Sequence, residues 1–288
     1  MLRLAQRNMR IFFRQKSAVF FSLLSVFIVI MIYVLFLGDV WTNSMDLPGA
    51  KSLMASWIVA GLVCVSTVTT TMGTFETMIE DASDGQAGDF RASPVRRSSI
   101  VGGYIISAVV VGFVMSLVAL ALGCIYIVST GGLLPGFADM AKFVGITALA
   151  AASNSAMVFF LVCLFKSKSA FAAVSTIIGT LIGFLTGIYL PIGELPAAVQ
   201  TVIKCFPPSH AAALMRQILV EPNLSFSLDG APAAAASEVR EWFGAHMGVT
   251  YTLGGTEIAP WVSVLIIAAS GVVFFAIGVA VFRKKREV

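Results

Sequence analysis

The sequence predicts an all-α integral membrane protein with six transmembrane helices, and three observations carry that prediction. Six apolar segments, Ala18–Leu37, Leu53–Ile79, Ile100–Val128, Phe143–Phe165, Ala170–Leu190 and Trp261–Phe282, each reach the roughly 20 residues a helix needs to cross about 30 Å of hydrocarbon. Within them the only charged residue is Glu76, near one end of the second. Hydrophobic residues make up 58% of the chain and charged residues 12%, against about 25% charged in an average soluble domain. A soluble fold has no interior large enough to hide that much apolar surface. Six spans and their connections use all 288 residues, so a single membrane domain over 1–288 is expected, with no separate soluble enzyme domain.

Charge placement predicts the topology. Arg3, Arg7, Arg10, Arg14 and Lys16 precede the first span, and Arg283, Lys284, Lys285 and Arg286 follow the last. Six crossings put both ends on one side, and the positive-inside rule makes that side the cytoplasmic face of the cell membrane. Arg91, Arg96, Arg97, Lys166 and Lys168 then fall inside as well, giving fourteen basic residues there against Lys51 and Lys142 in the short outer loops. The net charge of +4 therefore reports orientation, and no nucleic-acid partner is expected.

Residues 1–16 form the first element. Arg3, Arg7, Arg10 and Arg14 follow i, i+4, i+7, i+11 spacing and stack on one helix face, opposite Leu2, Ala5, Met9, Phe12 and Phe13. This is the pattern of a helix lying in the membrane interface, its arginines toward lipid phosphates or a partner's acidic surface; a topology anchor is the plainer alternative. The first span has about 20 apolar residues rather than the 7 to 15 of a signal core, and no small-x-small site follows before Asp39, so it is read as an uncleaved helix.

The second span is rich in hydroxyls: Ser66, Thr67, Thr69, Thr70, Thr71 and Thr74, with Gly73. A threonine in a membrane helix either returns its hydroxyl to a backbone carbonyl or faces a polar cavity. Thr67, Thr70 and Thr74 are the candidates for a substrate path, and helix packing is equally open. Residues 80–97 follow, charged, with two glycines and one proline, and suit a short amphipathic helix ended before Pro94. Asp89 and Phe90, flanked by Arg91, Arg96 and Arg97, make a mixed surface with one aromatic anchor, suited to docking in a groove. A solvated loop is the plainer reading.

The fifth span carries Gly179, Gly183 and Gly187 at four-residue steps, so another helix backbone is expected to approach that face, within the subunit or across a dimer. From 191 to 260 the chain reads as an outer loop. Two apolar stretches flank Pro207, Pro208 and His210; the second runs from Ala211 to Val220, and each contains a charge, Lys204 or Arg216. Their lengths predict two short re-entrant or interfacial helices. Glu238, Arg240, Glu241 and Trp242 suggest an outer-surface helix, followed by a turn at Gly254 and Gly255. Cys64, Cys124 and Cys163 lie within spans and Cys205 in the outer loop, so no disulfide framework is predicted.

Several chemistries lack their residues. There is no G-x-x-x-x-G-K-[ST], H-E-x-x-H or G-x-S-x-G, hence no phosphate cradle, zinc pair or nucleophile elbow, and any ATP hydrolysis belongs to another chain. His210 and His246 have no metal-ligand spacing. A gradient-driven carrier generally needs ionisable groups near the midplane, and Glu76 is too close to one end.

Phe75-Glu76, Asp89-Phe90, Ser93-Pro94-Val95-Arg96, Leu190-Pro191, Leu195-Pro196 and Pro207-Pro208-Ser209-His210 occur in an order and spacing that resemble the membrane subunits of type 2 ATP-binding-cassette exporters over the whole chain. The resemblance implies an N-terminal interfacial helix, a cytoplasmic coupling helix at 80–97 and re-entrant outer helices between spans five and six. It further implies a permease without catalytic, cofactor or metal residues of its own. The expected partners are two copies of a cytoplasmic ATP-binding subunit, which uses ATP and Mg, a second permease copy in a homodimer or heterodimer, and membrane lipids. The implied function is outward movement of an amphipathic or hydrophobic drug, lipid or peptide. A gradient-driven transporter, and a membrane receptor or immunity protein that does not transport, are the alternatives.

Overall fold

In the computed structural model, which describes residues 1–33, 47–83, 97–165, 167–253 and 256–284, the chain is helical almost throughout. Hydrocarbon offers the backbone no hydrogen-bonding partner, so a spanning segment satisfies its own amides as a helix. Helices α1 (Leu2–Arg14) and α2 (Lys16–Ile32) meet at Gln15 with a 74° bend. Then come α3 (Ala50–Ser83), α4 (Arg97–Ser129), α5 (Phe137–Leu164) and α6 (Lys168–Leu185). The region expected to be the outer loop holds a 3-10 turn (Ile192–Glu194), α7 (Ala197–Cys205), α8 (Pro207–Ser227), α9 (Ala233–His246) and a hairpin of β1 (Thr252–Leu253) and β2 (Thr256–Glu257), before α10 (Pro260–Lys284). Among the described residues five helices are long and apolar enough to cross a membrane, six if the bent α1–α2 pair counts as one.

The central element is α3, which packs against α4, α5, α6 and α8. Its approach to α4 is made possible by missing side chains. Gly112, Ser116, Ala119 and Gly123 are buried on one face of α4; a Cβ on Gly112 would lie 2.7 Å from Thr71 Cγ2, and one on Gly123 would collide with Val59. The α5–α10 pair uses the same device, with Gly271 against Ser153 and Gly278 against the Phe159 ring. Such small-residue contacts let dispersion and backbone proximity hold helices together where lipid cancels the hydrophobic effect.

Helix ends follow local chemistry. Gly131 (φ +80°) closes α4, with Gly132 N–H donating to the Ile127 carbonyl. Gly187 (φ +67°) closes α6 in the same way, with Ile188 N–H donating to Gly183 and Gly187 N–H to Phe184. The fifth span therefore stops at Leu185, short of the expected Leu190, because the glycine takes the left-handed conformation that ends a helix.

The outer region departs further from expectation. Its second helix runs 21 residues from Pro207 to Ser227 rather than from Ala211 to Val220. Pro207 sits at its first turn, where a missing N–H costs nothing, and Phe206 before it is extended (φ −89°, ψ 118°), which turns the chain between α7 and α8. The polar residues beyond Val220 extend the helix because they bond within the fold: the Ser227 hydroxyl donates to the Asn223 carbonyl, and the Asn223 amide spans to Leu133. Helix α8 packs on α3, α5 and α10. The expected outer-surface helix is α9; Gly254 and Gly255 lie outside the described residues.

Helix α1 lies along α4, burying Ala5, Asn8 and Phe12, while Leu2 and Phe13 stay exposed. Met1 rests against Gly102 near the start of α4, and Gly102 shares a furrow with Arg283 at the end of α10. Met1 and the end of α10 thus lie at the same end of the bundle.

Candidate functional site

At that end, the last turn of α3 is tied to three other helices. The Asp81 carboxylate, buried at 4% exposure, accepts two hydrogen bonds from Arg7, at 2.7 Å from Nη1 and 2.9 Å from Nη2, and a third from the Tyr104 hydroxyl at 2.5 Å. Arg7 thereby joins α1 to α3, and Tyr104 joins α4. The hydrogen bond to Asp81 raises the Arg7 pKa above its ordinary value, against the opposing effect of burial. One residue earlier, Glu80 pairs with Lys168 at the start of α6. Asp81 lies just before residue 84 and Arg97 opens α4, so this cluster braces both flanks of the segment between them. Asp89, Phe90, Arg91 and Arg96 lie outside the described residues, and Arg97 is placed only as the first residue of α4.

In sequence, Asp81 stands only as part of the charged segment 80–97 and Arg7 only as part of an arginine stripe, and nothing marks Tyr104; the structure instead places Asp81 in the last turn of α3. A signal existed. Thr70, Thr74, Thr77 and Asp81 are spaced i, i+4, i+7, i+11, so Asp81 continues the buried hydroxyl face of α3 and needs a partner there.

Thr67, Thr70 and Thr74 are all buried within the subunit. Thr67 donates to the Cys64 carbonyl (2.6 Å) and accepts from Asn154 Nδ2 of α5 (2.7 Å). Thr74 donates to the Thr70 carbonyl (2.9 Å), while the Thr70 hydroxyl has no partner among the described residues. The more open side of α3 instead carries Thr69, Gly73 and Glu76, with empty space where a Gly73 Cβ would stand.

The three glycines do not meet another helix backbone among the described residues. Gly179 faces open space, Gly183 is covered by the Tyr189 ring, and Gly187 lies beyond α6 in its terminating turn. Steric need within the chain thus assigns two of them to a folded-back loop.

Pro207 and Pro208 open α8, and the buried His210 sits one turn on. Its Nε2 donates to the Lys204 carbonyl (2.9 Å), which leaves Nδ1 to accept from the Ser263 hydroxyl of α10 (3.0 Å). Burial lowers the His210 pKa, and the bond to Lys204 opposes that shift. Arg216, two turns further, is enclosed: Nη2 donates to the Gly187 carbonyl (3.1 Å), Nη1 to Gly248 (3.4 Å), and the guanidinium lies 4.6 Å from the Trp57 ring centre. Among the described residues no group of three His, Cys, Asp or Glu is placed to hold a metal ion.

A family model described as ABC-2 type transporter matches residues 1–220. The chain belongs to the ABC-2 type transporter family. The match runs from α1 into α8 and so takes in the braced end of α3, the hydroxyl face and the first turns of α8. A comparison with curated proteins gives no match. An ABC-2 membrane domain is the permease part of its transporter and lacks the ATPase site, and ABC-2 permeases generally work with a cytoplasmic ATP-binding subunit.

Proposed function

We propose that this ABC-2 chain is the membrane-spanning subunit of an ATP-powered exporter in the cell membrane, with both termini cytoplasmic, moving an amphipathic or hydrophobic compound outward. The supporting observation is the Arg7–Asp81–Tyr104 cluster. A push on residues 84–96 reaches α3 and α4 at their braced ends, so it moves α1, α3 and α4 together instead of bending a loose loop. Asp89, Phe90, Arg91, Arg96 and Arg97 form the docking surface in this reading, engaged by two copies of an ATP-binding subunit that uses ATP and Mg.

A second permease copy completes the pathway. Glu76 is exposed on the open side of α3, and a carboxylate facing lipid is costly. Thr69, Gly73 and Glu76 of α3, with the exposed Thr176 and Thr180 of α6, therefore face the other copy across a shared path. The buried threonines support that wall from behind.

The test is affinity purification in native lipid particles of wild type beside a variant with Asp89, Phe90 and Arg91 changed to alanine. A nucleotide-hydrolysing partner retained by wild type and lost by the variant is the expected result. No such partner with either protein would refute the reading in favour of a gradient-driven carrier or a non-transporting binder.

A further inference from the structure

A furrow of about 730 Å³ runs between the start of α4 and the end of α10. Its walls are Val101 and Ile105 on one side and Phe275 and Val279 on the other, and Phe159 of α5 forms its floor. The Phe159 ring lies 6.4 Å from that of Phe275, seated where Gly278 carries no side chain. The volume is within the ~300–1,000 Å³ of small-molecule sites. Its polarity is confined to one rim, where Ser98 and Arg283 stand. No carboxylate lines it, and the exposed Arg283 has no acidic partner among the described residues.

We propose that this furrow is a binding site for one anionic phospholipid, its acyl chain lying over Phe159 between α4 and α10 and its phosphate held by Arg283 and the Ser98 hydroxyl. The observation favouring this occupant is charge complementarity. An apolar trough opening at the membrane surface beside a guanidinium that has no acidic partner among the described residues matches a molecule with a long hydrocarbon tail and an anionic head at one end. A zwitterionic lipid fills the trough equally well but brings an ammonium toward the arginine. The position at the end of the bundle that holds both chain termini assigns the lipid to the leaflet on that side. This site is separate from the α3–α6 path and does not depend on the direction of transport.

The experiment uses the full-length chain with its ATP-binding subunit in nanodiscs. Phosphatidylcholine discs are doped with either phosphatidylglycerol or phosphatidylcholine bearing a photoreactive diazirine on the acyl chain, and labelled peptides are mapped by mass spectrometry. The anionic probe should label the peptides containing Ile105 and Val279 about 5-fold more than the zwitterionic probe, the effect of one basic residue at a membrane surface. Arg283→Gln should abolish that preference and Arg283→Lys should retain it. Lys285→Gln should leave it in place. Equal labelling by both probes, or equal loss in the Arg283 and Lys285 variants, would overturn the proposal in favour of nonspecific filling or diffuse charge attraction. Absence of label from both peptides in the assembled complex would also overturn it, by assigning the furrow to a second copy or to the ATP-binding subunit. Arg283 is exposed at a helix end, and an unchanged melting temperature checks that its replacement leaves the fold intact.

Discussion

Arg216 is 1% exposed and has no carboxylate partner among the described residues. A buried charge of this kind persists only if fixed dipoles replace its water. Here the carbonyls are those of Gly187, at the C-terminal end of α6 where the helix dipole is negative, and Gly248, while the Trp57 face supplies a cation–π contact. Arg216→Lys keeps the charge but loses the stacked plane and one carbonyl bond, a loss of about 2 kcal/mol; a lower melting temperature in nanodiscs is the expected readout. His210 gives a pH dependence. Its pKa in the fold lies below the ordinary 6.5, so the unfolded chain takes up the proton first as pH falls. Stability contributed by neutral His210 is therefore complete above about pH 6.5 and declines as the pH drops below that value toward its value in the fold. His210→Gln should flatten the melting temperature between about pH 7 and 5, which a pH series of thermal melts tests.

Among the elements, the closest helix contact lies on α4 rather than on α6. Gly123→Leu should destabilise the subunit by more than about 1–3 kcal/mol, the usual cost of overpacking, because Val59 already fills the space. Gly179→Leu should leave the melting temperature of the subunit unchanged, since nothing stands within 4 Å of its Cβ position, and should weaken pairing of two copies, read by cross-linking in the membrane. The spans were legible in the sequence because apolar length is a direct consequence of membrane thickness. Gly112, Ser116, Ala119 and Gly123 carried a readable packing stripe that the more regular glycines of the fifth span eclipsed. The extent of α8 was not legible from composition, because its polar end is solvated by distant groups such as the Leu133 carbonyl. The partnership of Arg7 with Asp81 was half legible: the buried helical register of Asp81 demanded a donor, but spacing alone does not say which arginine of α1 turns inward.

For the whole molecule, the cluster at the base of α3 allows the proposed docking and transmission roles to be tested apart. Arg7→Ala leaves Asp89, Phe90 and Arg91 untouched, so the ATP-binding subunit should still co-purify, while substrate-stimulated hydrolysis should fall toward the basal rate. Loss of the partner together with the stimulation would instead make Arg7 part of the docking surface. The self-bonding of the α3 hydroxyls bears on how the protein is made. Chains leave the ribosome N-terminal part first, so α3 enters the bilayer well before α8 and α10 exist to cover it. Thr69, Thr71 and Thr74 bond to carbonyls of their own helix, which lets these three hydroxyls wait in lipid already satisfied, whereas the Thr67–Asn154 and Trp57–Arg216 contacts form only when α5 and α8 arrive. The order of synthesis thus writes itself into which polar groups the helix satisfies alone and which it leaves for its later neighbours.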